Sequence, residues 1–169
     1  CTSLSSVERE NLVSNVERAD VIVVRSSVVN ADVISAAPQL GLIIRAGAGT
    51  DTIDVDAASA AGIYVCNVPG QNAVAVAELT MGLIIAIDRQ IPAANADFGT
   101  GVWNKERYSQ ARGLKGQALA IFGLGNIGLE VATRAKGFGL SLHALASTHR
   151  DATTEQKIED LEVQMHQTR

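Results

Sequence analysis

A glycine motif that follows an apolar segment is the part of this sequence most directly tied to chemistry. Residues 118–122 are apolar and lead into Gly123-Leu-Gly125-Asn-Ile-Gly128, a Gly-x-Gly-x-x-Gly pattern. The first glycine of such a pattern permits a tight turn, the second lets the backbone approach a phosphate, and the third allows close packing of a helix. The motif therefore predicts a binding site for the pyrophosphate of a dinucleotide.

The segment after this motif has the spacing of a helix. Apolar residues recur at helical intervals over 127–135, and Gly137 and Gly139 then provide stop signals. A strand, a glycine turn and a helix in this order are the context that the motif requires. Because backbone N–H groups at a helix N-terminus attract anions, Asn126 and Ile127 are the predicted donors to the pyrophosphate.

Composition restricts the class of protein. The chain has 169 residues, of which 47% are hydrophobic, and a formal net charge of −4. Lys and Arg form no cluster, which argues against nucleic acid as the main partner. The two cysteines, Cys1 and Cys66, give no disulfide framework, and the longest apolar run, 81–87, is too short for a membrane span. We therefore expect a cytoplasmic protein that binds a small molecule, with no membrane or metal site. Because the chain opens on Cys1, we also expect a fragment or a processed product.

Strand-like and helix-like segments alternate along the chain, which is typical of an α/β fold with parallel sheets. The predicted strands cover 21–24, 42–45, 63–66, 118–122 and 140–146, and the predicted helices cover 5–19, 31–37, 55–61, 73–87 and 127–135. The helix over 73–87 is apolar nearly all round, which predicts burial between layers or at an interface. Residues 97–112 are interpreted as a connecting loop, and residues 153–169 as a frayed surface helix.

Several ordered motifs together carry a family resemblance. The chain resembles the D-isomer-specific 2-hydroxyacid dehydrogenases, and within that family the branch that oxidises 3-phosphoglycerate in serine biosynthesis. The motifs are Ala19-Asp-Val-Ile-Val-Val-Arg25-Ser26, Arg45-Ala-Gly47-Ala-Gly49-Thr-Asp51, Cys66-Asn-Val-Pro-Gly70-Gln-Asn72, Val76-Ala-Glu78-Leu and Gly101-Val-Trp-Asn-Lys105. They span about residues 20–139 together with the glycine motif.

The resemblance implies an NAD-dependent oxidoreductase that transfers a hydride at C2 of a 2-hydroxy acid, in a cleft between two domains. It implies a flavodoxin-like partial substrate-binding domain over 1–70, a partial Rossmann NAD-binding domain over 71–150, and a C-terminal helix or tail over 151–169. The boundary is expected at 70–72, where Pro and Gly interrupt the pattern. The helix over 73–87 is expected to bury itself in a homodimer, as the corresponding element does in the proteins that this chain resembles.

The resemblance also names substrate-binding residues. The loop with Gly47, Ala48 and Gly49 matches the segment whose N–H groups hold the substrate carboxylate in this family, and glycines suit that close approach. The alternative is an ordinary glycine turn after a buried strand. Arg25 and Arg45 match positions that face the cleft, where a guanidinium binds phosphate or carboxylate. The alternative is that both are surface arginines at strand ends.

The expected partner of the cofactor ribose is missing. An acidic residue is expected about 20 residues beyond the glycine motif, at the end of the next strand. Ala146 stands at this position, and Ser147, Thr148 and Arg150 follow it. One interpretation is a pocket for a 2′-phosphate, hence NADP rather than NAD. The other is a strand end followed by polar turn residues.

His143 is the candidate general acid/base, because an imidazole titrates near neutral pH. Residues 143–148 resemble the family's segment around its catalytic histidine, so that Gly139 would mark a junction with the intervening part missing. The alternative is a histidine on a plain strand. No match to the family's catalytic Arg and Glu is found before the chain ends at Arg169, so activity is expected to be impaired.

Two other functions stay open from the sequence. A sister enzyme that reduces glyoxylate or hydroxypyruvate would be indifferent to a phosphate on the substrate. A non-catalytic nucleotide-binding module would bind the cofactor without turnover.

Overall fold

The computed structural model describes residues 11–146 and 150–167, so the start of the predicted N-terminal helix lies outside the described residues. A short 3-10 helix covers Leu12–Ser14. The chain divides into two compact units, Cys1–Asn72 and Ala73–Arg169. Within the described ranges, no helix is long and apolar enough to span a bilayer.

The first unit contains a three-stranded parallel sheet. Strand β1 covers Val21–Val24, β2 covers Leu42–Arg45 and β3 covers Tyr64–Cys66, and they lie in the order β1-β2-β3. Helix α1 (Ala31–Ser35) connects β1 to β2, and helix α2 (Val55–Ala60) connects β2 to β3. All five elements follow the predicted segments to within two residues at each end.

The core of the first unit lies on one face of this sheet. Alternation along β1 buries Ile22 and Val24, and Ile43 of β2 is fully buried between them and the helices. Val23 and Tyr64 are 65% and 77% exposed, so the opposite face of the sheet is open. The alternation of buried and exposed residues fixes the strand register, because a shift by one residue would bring the apolar set to the open face.

The second unit begins with three helices and continues with a second parallel sheet. The helices are α3 (Ala73–Asp88), α4 (Ile91–Gly99) and α5 (Lys105–Tyr108). The sheet has the order β4-β5-β6, with β4 at Ala118–Ile121, β5 at Ser141–Leu145 and β6 at Gln164–His166. Helix α6 (Asn126–Gly137) connects β4 to β5, and helix α7 (Ala152–Asp160) connects β5 to β6.

Helices α3 and α6 pack against each other in the core of the second unit. Ala77 and Met81 of α3 are buried in the same cluster as Ala132 and Ala135 of α6. An ion pair between Glu78 and Arg134, at 3.3 Å, joins the two helices at the surface. Burial of α3 is less complete than its sequence predicts, because it exposes a stripe of large side chains that comprises Leu79, Leu83 and Ile87.

The prediction of a loop over 97–112 was wrong in two places. Helix α4 extends to Gly99, and helix α5 forms because the side chain of Asn104 accepts a hydrogen bond from the N–H of Arg107 at 3.1 Å. The hydroxyl of Tyr108 donates to Asp97 at 2.5 Å and connects the two helices. This contact arises between residues eleven positions apart, which local patterns do not show.

The interpretation of residues 153–169 as a frayed surface helix was correct only in part, because helix α7 forms but the segment then continues into strand β6. Ile158 and Val163 are buried against Leu142 and Ala144, and β6 pairs in parallel with β5. Residues 161, 163 and 165 are apolar, which is the alternation of a strand, but the segment was interpreted as helical.

Candidate functional site

The glycine turn between β4 and α6 has the backbone geometry that its three glycines predict. Gly123 has a φ of +97°, which side-chain-bearing residues rarely adopt. A Cβ added to Gly128 would lie 2.0 Å from the carbonyl oxygen of Gly123, so the helix packs on the turn too closely for any side chain. The third glycine is therefore required by packing, and the first by conformation.

Gly125 differs, because its surroundings are open. A Cβ added there would meet no described atom within 4 Å outside the immediate neighbours, and its backbone angles, φ −82° and ψ −164°, are ordinary extended values. Nothing in the fold of the described residues therefore requires a glycine at this position. The open space is the one that a pyrophosphate needs in order to approach the backbone.

The N-terminus of α6 has unsatisfied donors. Among the described residues, no side chain caps this helix, whose N-cap is Gly125. Asn126 and Ile127 are exposed in its first turn, and their N–H groups, which have no intrahelical acceptor, lie at the positive end of the helix dipole. The residues present thus fit a dinucleotide pyrophosphate.

The carboxyl end of β5 lies beside this turn. Ala144 is paired with Ile121, so the chain that leaves β5 at Leu145 runs next to the glycine turn. Ala146, where an acid is expected, is exposed, and its N–H donates to the carbonyl of His166 at 2.7 Å. Ser147 and Thr148, named above for the 2′-phosphate alternative, lie outside the described residues.

Arg150 and Asp151 follow this strand end. Nη2 of Arg150 donates to the carbonyl oxygen of Leu145 at 2.8 Å. Asp151 accepts a hydrogen bond from the N–H of Thr154 at 2.7 Å and caps α7. Hydrogen bonds from the N–H group and the hydroxyl of Thr154 hold the pKa of Asp151 below its usual value.

In the first unit, the loop after β2 is fixed by hydrogen bonds that its carbonyl groups accept. Nδ2 of Asn67 donates to the oxygen of Ala48 at 2.7 Å, and the N–H of Val68 donates to the oxygen of Gly47 at 3.0 Å. Within residues 11–146 and 150–167, the N–H groups of Ala48 and Gly49 have no acceptor. The loop therefore presents two neighbouring donors on a fixed backbone, which suits a carboxylate.

The two candidate arginines differ in their surroundings. The side chain of Arg45 folds over its own loop, since a Cβ added to Gly47 would lie 1.5 Å from Nη1 of Arg45. Its Nε atom is buried and has no hydrogen-bond partner among the described residues. Arg25 follows β1 and is exposed, and it makes no ion pair in the described part of the chain. Arg45 is thus the arginine associated with the loop, and Arg25 lies on the surface beyond the strand.

His143 lies in the middle of β5, which is the central strand of its sheet. Its Nδ1 atom is 2.9 Å from Nε2 of His166 on β6, and no carboxylate or arginine of the described residues contacts its ring. The segment forms strand β5 and pairs with β4 directly after α6. Because ligands of parallel sheets bind beyond the carboxyl ends of the strands, this position gives no support to a general acid/base role. The contact with His166 was missed because β6 was not predicted.

The structure thus groups the predicted residues into two sets. Gly47, Ala48 and Gly49 lie with Arg45 in the first unit. The second set lies in the second unit and comprises Gly123, Gly125, Asn126, Ile127 and Gly128.

Comparison with known proteins identifies the family of the chain. The family model for the D-isomer specific 2-hydroxyacid dehydrogenase catalytic domain matches residues 2–167. D-3-phosphoglycerate dehydrogenase of Methanocaldococcus jannaschii is 45% identical over 139 residues, which are 82% of this chain and 26% of that protein. Hydroxypyruvate reductase of Thermotoga maritima is 44% identical over 82% of this chain and 45% of its own length. The chain thus spans about a quarter of the first relative and less than half of the second.

Solved structures give the same result. The NAD-dependent formate dehydrogenase of Staphylococcus aureus, in complex with NAD, is 28% identical with a TM-score of 0.80, over 96% of this chain and 48% of that one. A Granulicella formate dehydrogenase has a TM-score of 0.81 at 28% identity, over 90% of this chain and 41% of its own. The chain belongs to the D-isomer specific 2-hydroxyacid dehydrogenase family.

Proposed function

We propose that this protein acts as an NAD-dependent oxidoreductase on C2 of small 2-hydroxy acids, with 3-phosphoglycerate as the first candidate substrate and serine biosynthesis as the setting. The observation that carries the proposal is the uncapped N-terminus of α6, which opens onto the space in front of Gly125. Family membership supports it, because a family of 2-hydroxyacid dehydrogenases shares this chain's pattern over 2–167.

The second unit supplies the cofactor site. We assign the N–H groups of Asn126 and Ile127 to the pyrophosphate, because both residues are exposed at the start of α6. The bound nicotinamide would exchange a hydride with C2 of the substrate. The S. aureus relative was solved in complex with NAD, which supports NAD as the cofactor.

The first unit supplies the substrate site. We assign the N–H groups of Ala48 and Gly49 to the substrate carboxylate. The Nε atom of Arg45 is buried and lacks a partner among the described residues, so it would gain an acceptor when an anion binds. Arg25 is exposed beyond β1 and is our candidate for the distal phosphate. We assign no general acid/base to the described residues, because His143 lies within a strand.

A second candidate substrate is hydroxypyruvate, because the T. maritima reductase is as similar to this chain as the M. jannaschii phosphoglycerate enzyme. The two acids differ in charge at the end distant from the carboxylate. Replacement of Arg25 by Gln should therefore raise KM for 3-phosphoglycerate and leave KM for hydroxypyruvate unchanged. Equal effects on both would favour the reductase.

We also propose a homo-oligomer and a cytoplasmic location. The exposed stripe of Leu79, Leu83 and Ile87 on α3 is a surface that a second copy would cover. Cys66 is a free and exposed thiol, which suits a reducing compartment. Sedimentation of the chain and of the Leu83→Glu variant tests the first point, since the variant should be monomeric.

The proposed function is tested by calorimetric titration of NADH into the purified chain and into Gly125→Val. Because a Cβ at this position meets no described neighbour and the backbone angles are ordinary, the variant should keep the thermal stability of the wild type. It should lose at least about tenfold in NADH affinity, or about 1.4 kcal/mol, because the side chain occupies the place of the pyrophosphate.

The matched control is Gly82→Ala in α3, also an open position, which should leave NADH affinity unchanged and raise stability by up to about 1 kcal/mol, because Ala is a better helix former than Gly. Equal NADH affinity in Gly125→Val and wild type would contradict the assignment of the glycine turn. Binding without turnover on either acid would favour the non-catalytic module.

A further inference from the structure

Two histidines connect the last two strands of the second unit. Nδ1 of His143, in the middle of β5, lies 2.9 Å from Nε2 of His166, the last residue of β6. The ring centroids are 5.1 Å apart and the ring planes are tilted by 32°, so the rings meet through these nitrogens and do not stack. A hydrogen bond at this distance requires a proton on one of the two facing nitrogens and a lone pair on the other.

The described residues place no counter-charge against this pair. Leu142 and Ala144, which alternate with His143 along β5, are buried in the core with α6 and α7, so both rings lie on the opposite face of the sheet. The residue beside His143 is Ala120 on β4 and Gln164 on β6, and neither carries a charge. Within residues 11–146 and 150–167, no carboxylate forms an ion pair with either ring.

A cation is held at the same strand end. Nη2 of Arg150 donates to the carbonyl oxygen of Leu145, and Leu145 is the register partner of His166. A second positive charge on this strand pair would therefore add to an existing one.

The geometry accommodates one added proton. Oγ of Ser141 lies 3.4 Å from Nε2 of His143, and a hydroxyl can accept as well as donate. A charged His143 can therefore donate from Nδ1 to His166 and from Nε2 to Ser141. Because a charged donor forms the stronger hydrogen bond, the contact between the strands persists in this state.

A second added proton is incompatible with the contact. It would occupy Nε2 of His166, which is the acceptor, so two N–H groups of two cations would face each other at 2.9 Å. Strand β6 has three residues and is an edge strand, so its pairing has little reserve. The carbonyl of His166 also accepts the N–H of Ala146 at 2.7 Å, so a movement of β6 would free this amide.

We propose that the His143–His166 pair is a pH-sensitive contact, which binds β6 to β5 while it holds at most one added proton and releases β6 when both rings are charged. Imidazoles change charge between about pH 5 and pH 8, so release belongs to weakly acidic conditions. Because interacting groups titrate as a pair, protons are taken up in two steps, and the second step opens the contact. The inference goes beyond the proposed function and depends on neither substrate nor cofactor.

The test is amide hydrogen exchange of the full chain, followed by NMR from about pH 7.5 to pH 5 and corrected for the intrinsic pH dependence of exchange. The probe is the N–H of Ala146, whose acceptor lies on β6. The reference is the N–H of Ser141, which donates to Gln117 at 2.9 Å and joins β5 to β4. Protection of Ala146 should fall about tenfold as the pH falls, which corresponds to the loss of one hydrogen bond, and protection of Ser141 should stay constant.

Three variants assign the effect to the pair. His166→Gln and His143→Gln each leave one imidazole with an amide partner that can donate or accept but cannot become charged. In both variants the protection of Ala146 should be independent of pH over this range. The control is His149→Gln, which removes the third histidine of the chain, a residue outside the described ranges, and should retain the wild-type fall.

Constant protection of Ala146 in the wild type would overturn the inference. The same fall in His166→Gln and His143→Gln as in the wild type would also overturn it, because another group would then be responsible. An equal fall at Ser141 would show that the whole sheet opens in acid, which likewise contradicts a contact specific to β6. A fall confined to Ala146, absent from both pair variants and retained in His149→Gln, would support it.

Discussion

The two units contain the same sheet, with three parallel strands in sequential order and two connecting helices each, but they differ in how those helices begin. Asn30 caps α1, Asp54 caps α2 and Asp151 caps α7, each with a side-chain oxygen that accepts a backbone N–H. Helix α6 begins at Gly125 and has no such cap among the described residues. The fold is thus repeated, whereas the proposed cofactor site uses the one connecting helix that has no side-chain cap among the described residues.

The unsatisfied donors of the first unit occur in a different place. They lie in the loop after β2, where Ala48 and Gly49 keep free N–H groups while the carbonyls of the loop are bound. In the second unit they lie at a helix N-terminus after β4, the first strand. The first unit thus presents a small cradle suited to a carboxylate, and the second presents a helix dipole suited to a pyrophosphate.

The largest effect is expected where the second unit depends on the absence of a side chain. Gly128→Val places new atoms against the carbonyl of Gly123 and should lower the free energy of unfolding by about 3 kcal/mol. Urea denaturation measures this change. Gly125→Ala, three residues earlier, should leave the midpoint unchanged, and equal losses in the two variants would contradict the packing role of Gly128.

Removal of a cap in the first unit should have a smaller effect. Asp54→Ala leaves the N–H of Ala57 without its acceptor at the start of α2 and should cost about 1 kcal/mol in unfolding free energy. The proposed NADH site lies outside this unit, so NADH affinity should not change. A fall in NADH affinity without a fall in stability would contradict the separation of the two roles.

Addition of a capping side chain to α6 should raise the stability of the protein and abolish NADH binding. Gly125→Asp gives this helix a capping side-chain oxygen, as the other three connecting helices already have. The variant should raise the unfolding free energy by about 0.5 kcal/mol. It should also abolish NADH binding, because the new charge repels the pyrophosphate from the same donors. Thermal melting and calorimetry on one sample measure both changes. Improved stability with unchanged NADH affinity would disprove the competition between cap and ligand.

The smallest effect concerns pH. The folded-state pKa of Asp151 is lowered by the N–H of Thr154, so its contribution to stability is present above the unfolded-state pKa, about 4. That contribution is lost as the pH falls through the lower folded-state value. The difference in melting temperature between wild type and Asp151→Asn should therefore shrink as the pH falls below about 4. A constant difference over this range would show that the carboxylate charge has no part in the cap.

Sequence patterns predicted most of the positioning elements for identifiable reasons. Strands β1, β2 and β4 are short apolar runs between polar or glycine residues, and the glycine motif predicted the turn and the start of α6. The conformation of Gly123 and the tight packing of Gly128 follow from the roles assigned to the first and third glycines.

The rest depends on contacts between distant residues. Strand β6 has three residues and forms through pairing with β5, and helix α5 is joined to α4 through Tyr108 and Asp97. Residue types do not show which backbone groups of the loop after β2 are bound. Asn67 and Val68 donate to its carbonyl groups, and these contacts are visible only in the fold. The position of the Arg150 guanidinium at Leu145 was likewise visible only in the fold.

The hydrogen bonds that fix the loop after β2 bear on the affinity of the proposed carboxylate site. Fixing one residue of a flexible backbone costs about 1–2 kcal/mol in conformational entropy. The hydrogen bonds from Asn67 and Val68 impose that cost when the chain folds, so an arriving carboxylate meets donors that are already ordered. In the proposed substrate site, Asn67 would therefore contribute to affinity through preorganisation of the loop, although its own amide is bonded to Ala48.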